Sequence, residues 1–191
     1  MATSDVAICN LAAQKLGAKR IVSLTEDSTE AREFNACYTA MRDAELRRHP
    51  WNFAIARLSI AADADAPAFG PAGFFTLPAD FLRLLPKDPE EDINDLDWRI
   101  EGKKIATNDT APLEVRYIYR VEDPNDFDPL FVETLACRIA LQTCEKLTQS
   151  NAKKAAITQE YKDAIAEAKR TNGIENVPRE PPADTWDTAR L

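Results

Sequence analysis

Apolar residues recur at two periods along the chain, helical near both ends and two-residue in the middle. In "DVAICNLAAQKLG", Val6, Cys9, Ala13 and Leu16 fall on one face at three- and four-residue spacing. Ser4 suits the N-cap, Asp5 the first turn and Gly17 the left-handed stop, so a first helix is predicted there. A short extended link, "IVSL", leads to "DSTEAREFNACYTAMRDAELRRH", a long second helix with a stripe of Ala31, Phe34, Cys37, Tyr38 and Met41. Asp27 followed by Glu30 predicts a capping box with Asp in the Ser/Thr place. Arg42, Arg47, Arg48 and His49 gather toward the negative end of the helix dipole. Pro50 disfavours helical backbone in the residue before it, so the helix ends at or before His49.

Beyond Pro50 the period changes. In "WNFAIARLSIA", Trp51, Phe53 and Ile55 alternate with Asn52, Ala54 and Ala56, which predicts a strand from Trp51. Residues 61 to 76 are rich in Ala, Asp, Pro and Gly and read as a loop. Phe75 and Leu77 then alternate, Pro78 and Asp80 suit a turn, and "FLRLL" resumes an apolar run. "PKDPEEDINDLD" is an acidic loop punctuated by proline, and "WRIEGKKIA" reads as a hairpin turning at Glu101 to Lys103. In "LEVRYIYRV", Leu113, Val115, Tyr117, Tyr119 and Val121 share one face, with Glu114, Arg116, Ile118 and Arg120 on the other. The expectation is one small antiparallel sheet over roughly residues 51 to 121.

Helical spacing returns in "DFDPLFVETLACRIALQTCEKLTQS". Asp128 precedes a proline at the first helical position, and Val132, Leu135, Ala136, Ile139, Ala140, Thr143 and Leu147 form the stripe. Ser150 or Asn151 caps a fourth helix, with Ile157, Tyr161, Ala164, Ile165 and Ala168 inward and Gly173 at its end. The predicted fold is α+β: a four-helix bundle (1–50 and 127–173) with a small antiparallel sheet inserted between helices 2 and 3 (51–126). Residues 174–191 have neither period; proline and charge make them an extended C-terminal arm, and Trp186 gives that arm an apolar anchor.

Charge narrows the function classes. The net charge of −8 over 191 residues disfavours general duplex binding, which depends on neutralising phosphates, yet suits a channel that DNA slides through. The leading residues lack a signal-peptide pattern and no run of about 18 apolar residues spans a bilayer, so Cys9, Cys37, Cys137 and Cys144 are expected as free thiols in a reducing compartment. Cys137 and Cys144 lie on one helical face as small hydrophobes, without the CxxC or nearby His of a metal pair.

Catalytic patterns are sparse. His49 is the only histidine and suits a helix end, and five glycines leave little material for a phosphate loop. Neither a metal nor a cofactor is expected. The acids Glu90, Glu91, Asp92, Asp95 and Asp97 read as a solvated loop, or alternatively as the paired carboxylates of a glycan hydrolase. Tyr117 and Tyr119 share the apolar face and read as core rather than as a base-stacking platform.

The segments "ICNLAAQKLGAKRIVSL", "YTAMRDAELRRHPWNFAIAR", "FTLPADFLRLL", "WRIEGKKIAT", "VRYIYRVED", "FDPLFVETLACRIA" and "WDTAR" occur in this order along nearly the whole chain. In them the chain resembles the tail tubular protein A, or head-to-tail adaptor, family of short-tailed bacteriophages. "HPWNFA" and "LPADFLR" in this order are its specific part. The resemblance implies a structural protein with no catalytic residues. It implies a homo-oligomeric ring, typically dodecameric, that joins the portal to the tail nozzle and continues the DNA channel. It also implies assembly in the host cytoplasm into the neck of the virion, without a membrane. Trp51, Phe53, Pro78, Asp80, Phe81 and Arg83 carry the family signature; Pro181, Pro182, Trp186, Arg190 and Leu191 are the expected portal contacts. The acidic loop "PKDPEEDINDLD" departs from the family pattern. The competing expectations are the glycan hydrolase and a small DNA-packaging or regulatory protein.

Overall fold

The computed structural model describes residues 3–87 and 98–175. Among them lie α1 (Asp5–Leu16), α2 (Thr29–Arg48), α3 (Pro129–Thr148) and α4 (Asn151–Ile174), with the strands between α2 and α3. The fold is mixed α and β.

Each helix starts on a side-chain cap. Ser4 accepts from the Ala7 N–H, Asp128 from Leu130 and Phe131 with Pro129 at the first position, and Ser150 from Lys153. Gly17 ends α1 at φ +72°, its N–H and that of Ala18 closing on the last carbonyls. Helix α2 corrects the predicted capping box. Its cap is Ser28, whose Oγ accepts from Ala31 at 3.2 Å, and Asp27 instead pairs with Arg32 at 2.8 Å. The position three past the cap is then Ala31, which has no carboxylate to return the bond. His49 leaves the helix in extended backbone, as Pro50 requires. Gly173 does not end α4: it keeps right-handed backbone and the helix runs through Ile174. Residues 174 and 175 therefore belong to α4 and its cap, not to the arm; residues 176–191 lie outside the described residues.

Helices α1, α2 and α4 each pack chiefly on α3. Covered from three sides, α3 buries more than its predicted stripe. Phe131, Cys137 and Cys144 join Leu135, Ala136, Ile139 and Ala140 inside, while Val132 and Leu147 are half-buried. Likewise α1 buries Ile8 and Ala12 beside Cys9, Ala13 and Leu16.

The strands are β1 (Ile55–Ile60), β2 (Gly73–Thr76), β3 (Phe81–Leu85), β4 (Trp98–Glu101), β5 (Lys104–Thr107) and β6 (Leu113–Tyr119). They form two three-stranded antiparallel sheets, β1–β6–β3 and β2–β5–β4, rather than the single predicted sheet. The β4–β5 hairpin turns at Gly102 and Lys103 as expected. Of these two, only Gly102 has a positive φ, +63°, the pattern of a type II′ turn. The strand predicted from Trp51 begins only at Ile55, because Asn52–Ala54 make one 3-10 turn closed by Ala54 N–H to Trp51 O at 2.9 Å. Trp51 is drawn into the helical core and Asn52 is tied to α4, so the chain bends before it can pair.

Strand β6 buries residues on both faces toward its end, although Glu114 on the charged face stays exposed. Ile118 is fully buried against the helical cluster with Leu82, Leu85 and Trp51. Val115 and Tyr117 pack the other way, with Phe75, Leu77, Leu84 and Ile105 of the second cluster. The first sheet is thus a middle layer between helices and the second sheet.

Candidate functional site

The two most specific sequence segments meet where α2 ends. Trp51 is 1% exposed, with its ring 4.8 Å edge-on from His49 and 5.2 Å from Phe131; Phe53 continues the stack onto Phe127 and Phe131. The Trp51 indole N–H donates to Glu45 O at 2.9 Å. From the other segment, Leu82 O accepts from the Arg47 guanidinium, and Arg83 Nη1 donates to Arg48 O at 3.4 Å. Pro78 O accepts from Phe81 N–H in the turn, and Asp80 O accepts from Arg120 N–H at 2.7 Å. Arg120 Nε reaches Asp43 of α2 at 2.8 Å, Tyr119 OH donates to Phe53 O at 3.3 Å, and Phe81 lies against Tyr117. Trp51, Phe53, Pro78, Asp80, Phe81 and Arg83 are thus gathered into one joint between α2 and the first sheet. Among their side chains, the Trp51 indole and Arg83 donate to backbone carbonyls of α2, and the Asp80 carboxylate accepts from Tyr117 OH at 3.4 Å.

Beside this joint lies a buried charge that sequence reading did not find. The Glu45 side chain is 0% exposed, its Oε1 accepting from Tyr161 OH at 2.8 Å. Arg48 Nε is 3.6 Å from Oε2 and Arg138 Nε 3.5 Å from Oε1; the two guanidinium groups lie 5.7 and 5.8 Å from the Tyr161 ring centroid. Burial, followed by the bond to Glu45, pushes the Tyr161 hydroxyl well above its ordinary pKa. Glu45 Oε2 and Arg138 Nε, both inaccessible, make no hydrogen bond among the described residues. The signal for this site was present: continuing the α2 stripe from Tyr38 by seven residues lands on Glu45.

His49 holds the place expected of it at the end of α2. Its Nε2 lies 3.2 Å from Asn172 Nδ2 on α4. Burial first, then Lys169 and Arg83, hold its pKa below the usual histidine value.

A second cluster joins α1, α3 and α4. The Lys15 ammonium bonds to Glu133 and Glu160, which with the Cys137 thiol form a set of ligand atoms within 4.8 Å of one another. Lysine is the cation these groups hold. The thiol is no ready ligand, since burial raises Cys137 to about 11, as it raises Cys9 to about 12 and Cys37 to about 11.

Chemically these arrangements bind elements together. His49 faces an amide and an indole rather than a nucleophile, and Glu45 is sealed from substrate. A concavity of about 430 Å³ opens between the sheets at Leu84, Trp98, Ile105 and Val115. Glu90, Glu91, Asp92, Asp95 and Asp97 lie outside the described residues, as do Pro181, Pro182, Trp186, Arg190 and Leu191. Among the described residues no helix is long and apolar enough to cross a membrane. No protein-family model and no curated protein matches the chain.

Proposed function

We propose that the chain is a structural virion protein, a head-to-tail adaptor that assembles as a ring, dodecameric by the resemblance, between portal and tail nozzle of a short-tailed phage. It works without catalysis. The observation that carries this reading is the junction at the end of α2, where Arg47 and Arg48, just before "HPWNFA", bond to Leu82 and Arg83 of "LPADFLR", and Trp51 and Leu82 share the helical core. The segments with the most family character serve rigidity, as a repeated building block requires. The helices behave as a four-helix bundle, the rigid body of each subunit. Residues 176–191 form an extended arm whose Trp186, flanked by Pro181, Pro182, Arg190 and Leu191, docks on the portal. A ring multiplies each modest contact by its copy number. The acidic excess of the chain repels phosphates and lets DNA pass.

The test is the mass of the purified chain, alone and mixed with a phage portal ring. A closed oligomer that joins the portal is expected; a strict monomer that never binds it overturns the reading.

A further inference from the structure

One amide fixes the end of α4 to the end of α2. Asn172 Oδ1 accepts from Asn52 N–H at 2.9 Å, and Nδ2 donates to Pro50 O at 3.2 Å. Asn172 O accepts from Asn52 Nδ2 at 3.1 Å, and that same Nδ2 reaches Glu175 at 3.1 Å. The amide cannot turn its oxygen toward His49 without losing the first two bonds. At 3.2 Å the facing His49 Nε2 must therefore accept, so the ring is neutral with its proton on Nδ1. A second proton would set N–H against N–H.

That proton would also place a positive charge among positive neighbours. Lys169 of α4 and Arg83 of β3 face the ring, and Arg48 lies next to it in sequence. The nearby carboxylates are engaged: Glu45 by Tyr161, Arg48 and Arg138, and Glu175 by Asn52.

We propose that His49 is a proton-operated latch on the last turn of α4: the neutral imidazole closes it, and the imidazolium opens it and releases Asn172–Glu175. This sits where the helix hands over to residues 176–191, and nothing in it depends on the partner proposed above. The depressed pKa of His49 is what such a latch requires. The sign follows from linkage. Above about 6.5, the ordinary histidine value, open and closed forms are both neutral and the latch has its full strength. As pH falls below about 6.5 the open form takes up a proton first, and closure weakens until the lower closed-form pKa is reached.

Hydrogen exchange of the full chain, read by mass spectrometry and corrected for intrinsic rates, tests this between about pH 7.5 and about pH 5, bracketing the histidine range. Peptides covering residues 169–175 are expected to lose protection by at most tenfold per pH unit, the limit for one proton, while the middle of α4 is unchanged. His49→Gln supplies an acceptor that does not titrate and is expected to keep protection at both ends of the range. Asn172→Ala is expected to lose it at both. Equal protection of the wild type across the range, or the same loss in His49→Gln, would overturn the latch. Should His49→Gln already lack protection at the upper pH, the single histidine ring signal decides. A titration midpoint below about 6.5 supports the latch, and one at or above it refutes it.

Discussion

Glu45 is the most demanding side chain in the fold to bury, and its neighbours set the cost of changing it. Removing the carboxylate frees two arginines whose side chains are 42% and 27% exposed, so a rotamer change brings their guanidinium groups to solvent instead of leaving them stranded. Glu45→Ala is therefore expected to cost about 2–3 kcal/mol, below the ~3–5 kcal/mol of a fully enclosed pair. The double variant Glu45→Leu with Arg138→Met should recover most of that loss, because apolar packing replaces ion desolvation. Urea unfolding of the single and double variants measures both. Trp51→Ala should cost more, about 3–5 kcal/mol, as it opens a cavity beside Phe131 and removes the indole bond to Glu45 O. At this scale the sequence made the role of His49 legible through Pro50. It hid Glu45 because a charged residue on an apolar stripe reads as solvated unless its partners are known. Those partners, Arg138 and Tyr161, lie far along the chain.

Among the elements, helix ends and turns offer the sharpest contrasts. Ser28→Ala should destabilise by about 1 kcal/mol and Asp27→Ala by less than about 0.5 kcal/mol, since Ser28 caps a backbone N–H of α2 while Asp27 makes only an exposed ion pair with Arg32. Thermal unfolding of the pair distinguishes the observed cap from the predicted one. Gly102→Ala and Gly173→Ala should move stability in opposite directions, although open space surrounds both. At Gly102 an L-residue meets left-handed backbone in the hairpin turn, a cost of about 1–2 kcal/mol. At Gly173 the backbone is already helical, and alanine should gain up to about 1 kcal/mol, less any fraying of the last turn. Helices were legible in the sequence because caps and stripes are local. The start of β1 was not, because Trp51 and Phe53 alternate as a strand would, yet are held by contacts with Phe131 and Asn172's helix. One sheet became two because strand pairing is non-local: β6 pairs with both β1 and β3, and β5 with β2 and β4.

For the whole molecule, the proposed adaptor role turns on the segment after Glu175. Deleting residues 176–191 should abolish attachment to a portal ring while circular dichroism and the melting transition stay near those of the full chain. Normal attachment by the shortened chain would remove the arm from the mechanism. The mixed α and β character was legible from periodicity alone; the layer order was not, because Ile118 alternates with charged residues and so mimics a surface position. That two-faced strand limits how the chain can be dissected. Cutting out residues 51–126 and rejoining the ends would strip Trp51, Leu82, Leu85 and Ile118 from the helices and leave a greasy scar on α2 and α3. The excised piece would carry the matching scar. Neither fragment is expected to stay soluble without the other, so the inserted strands are no detachable passenger.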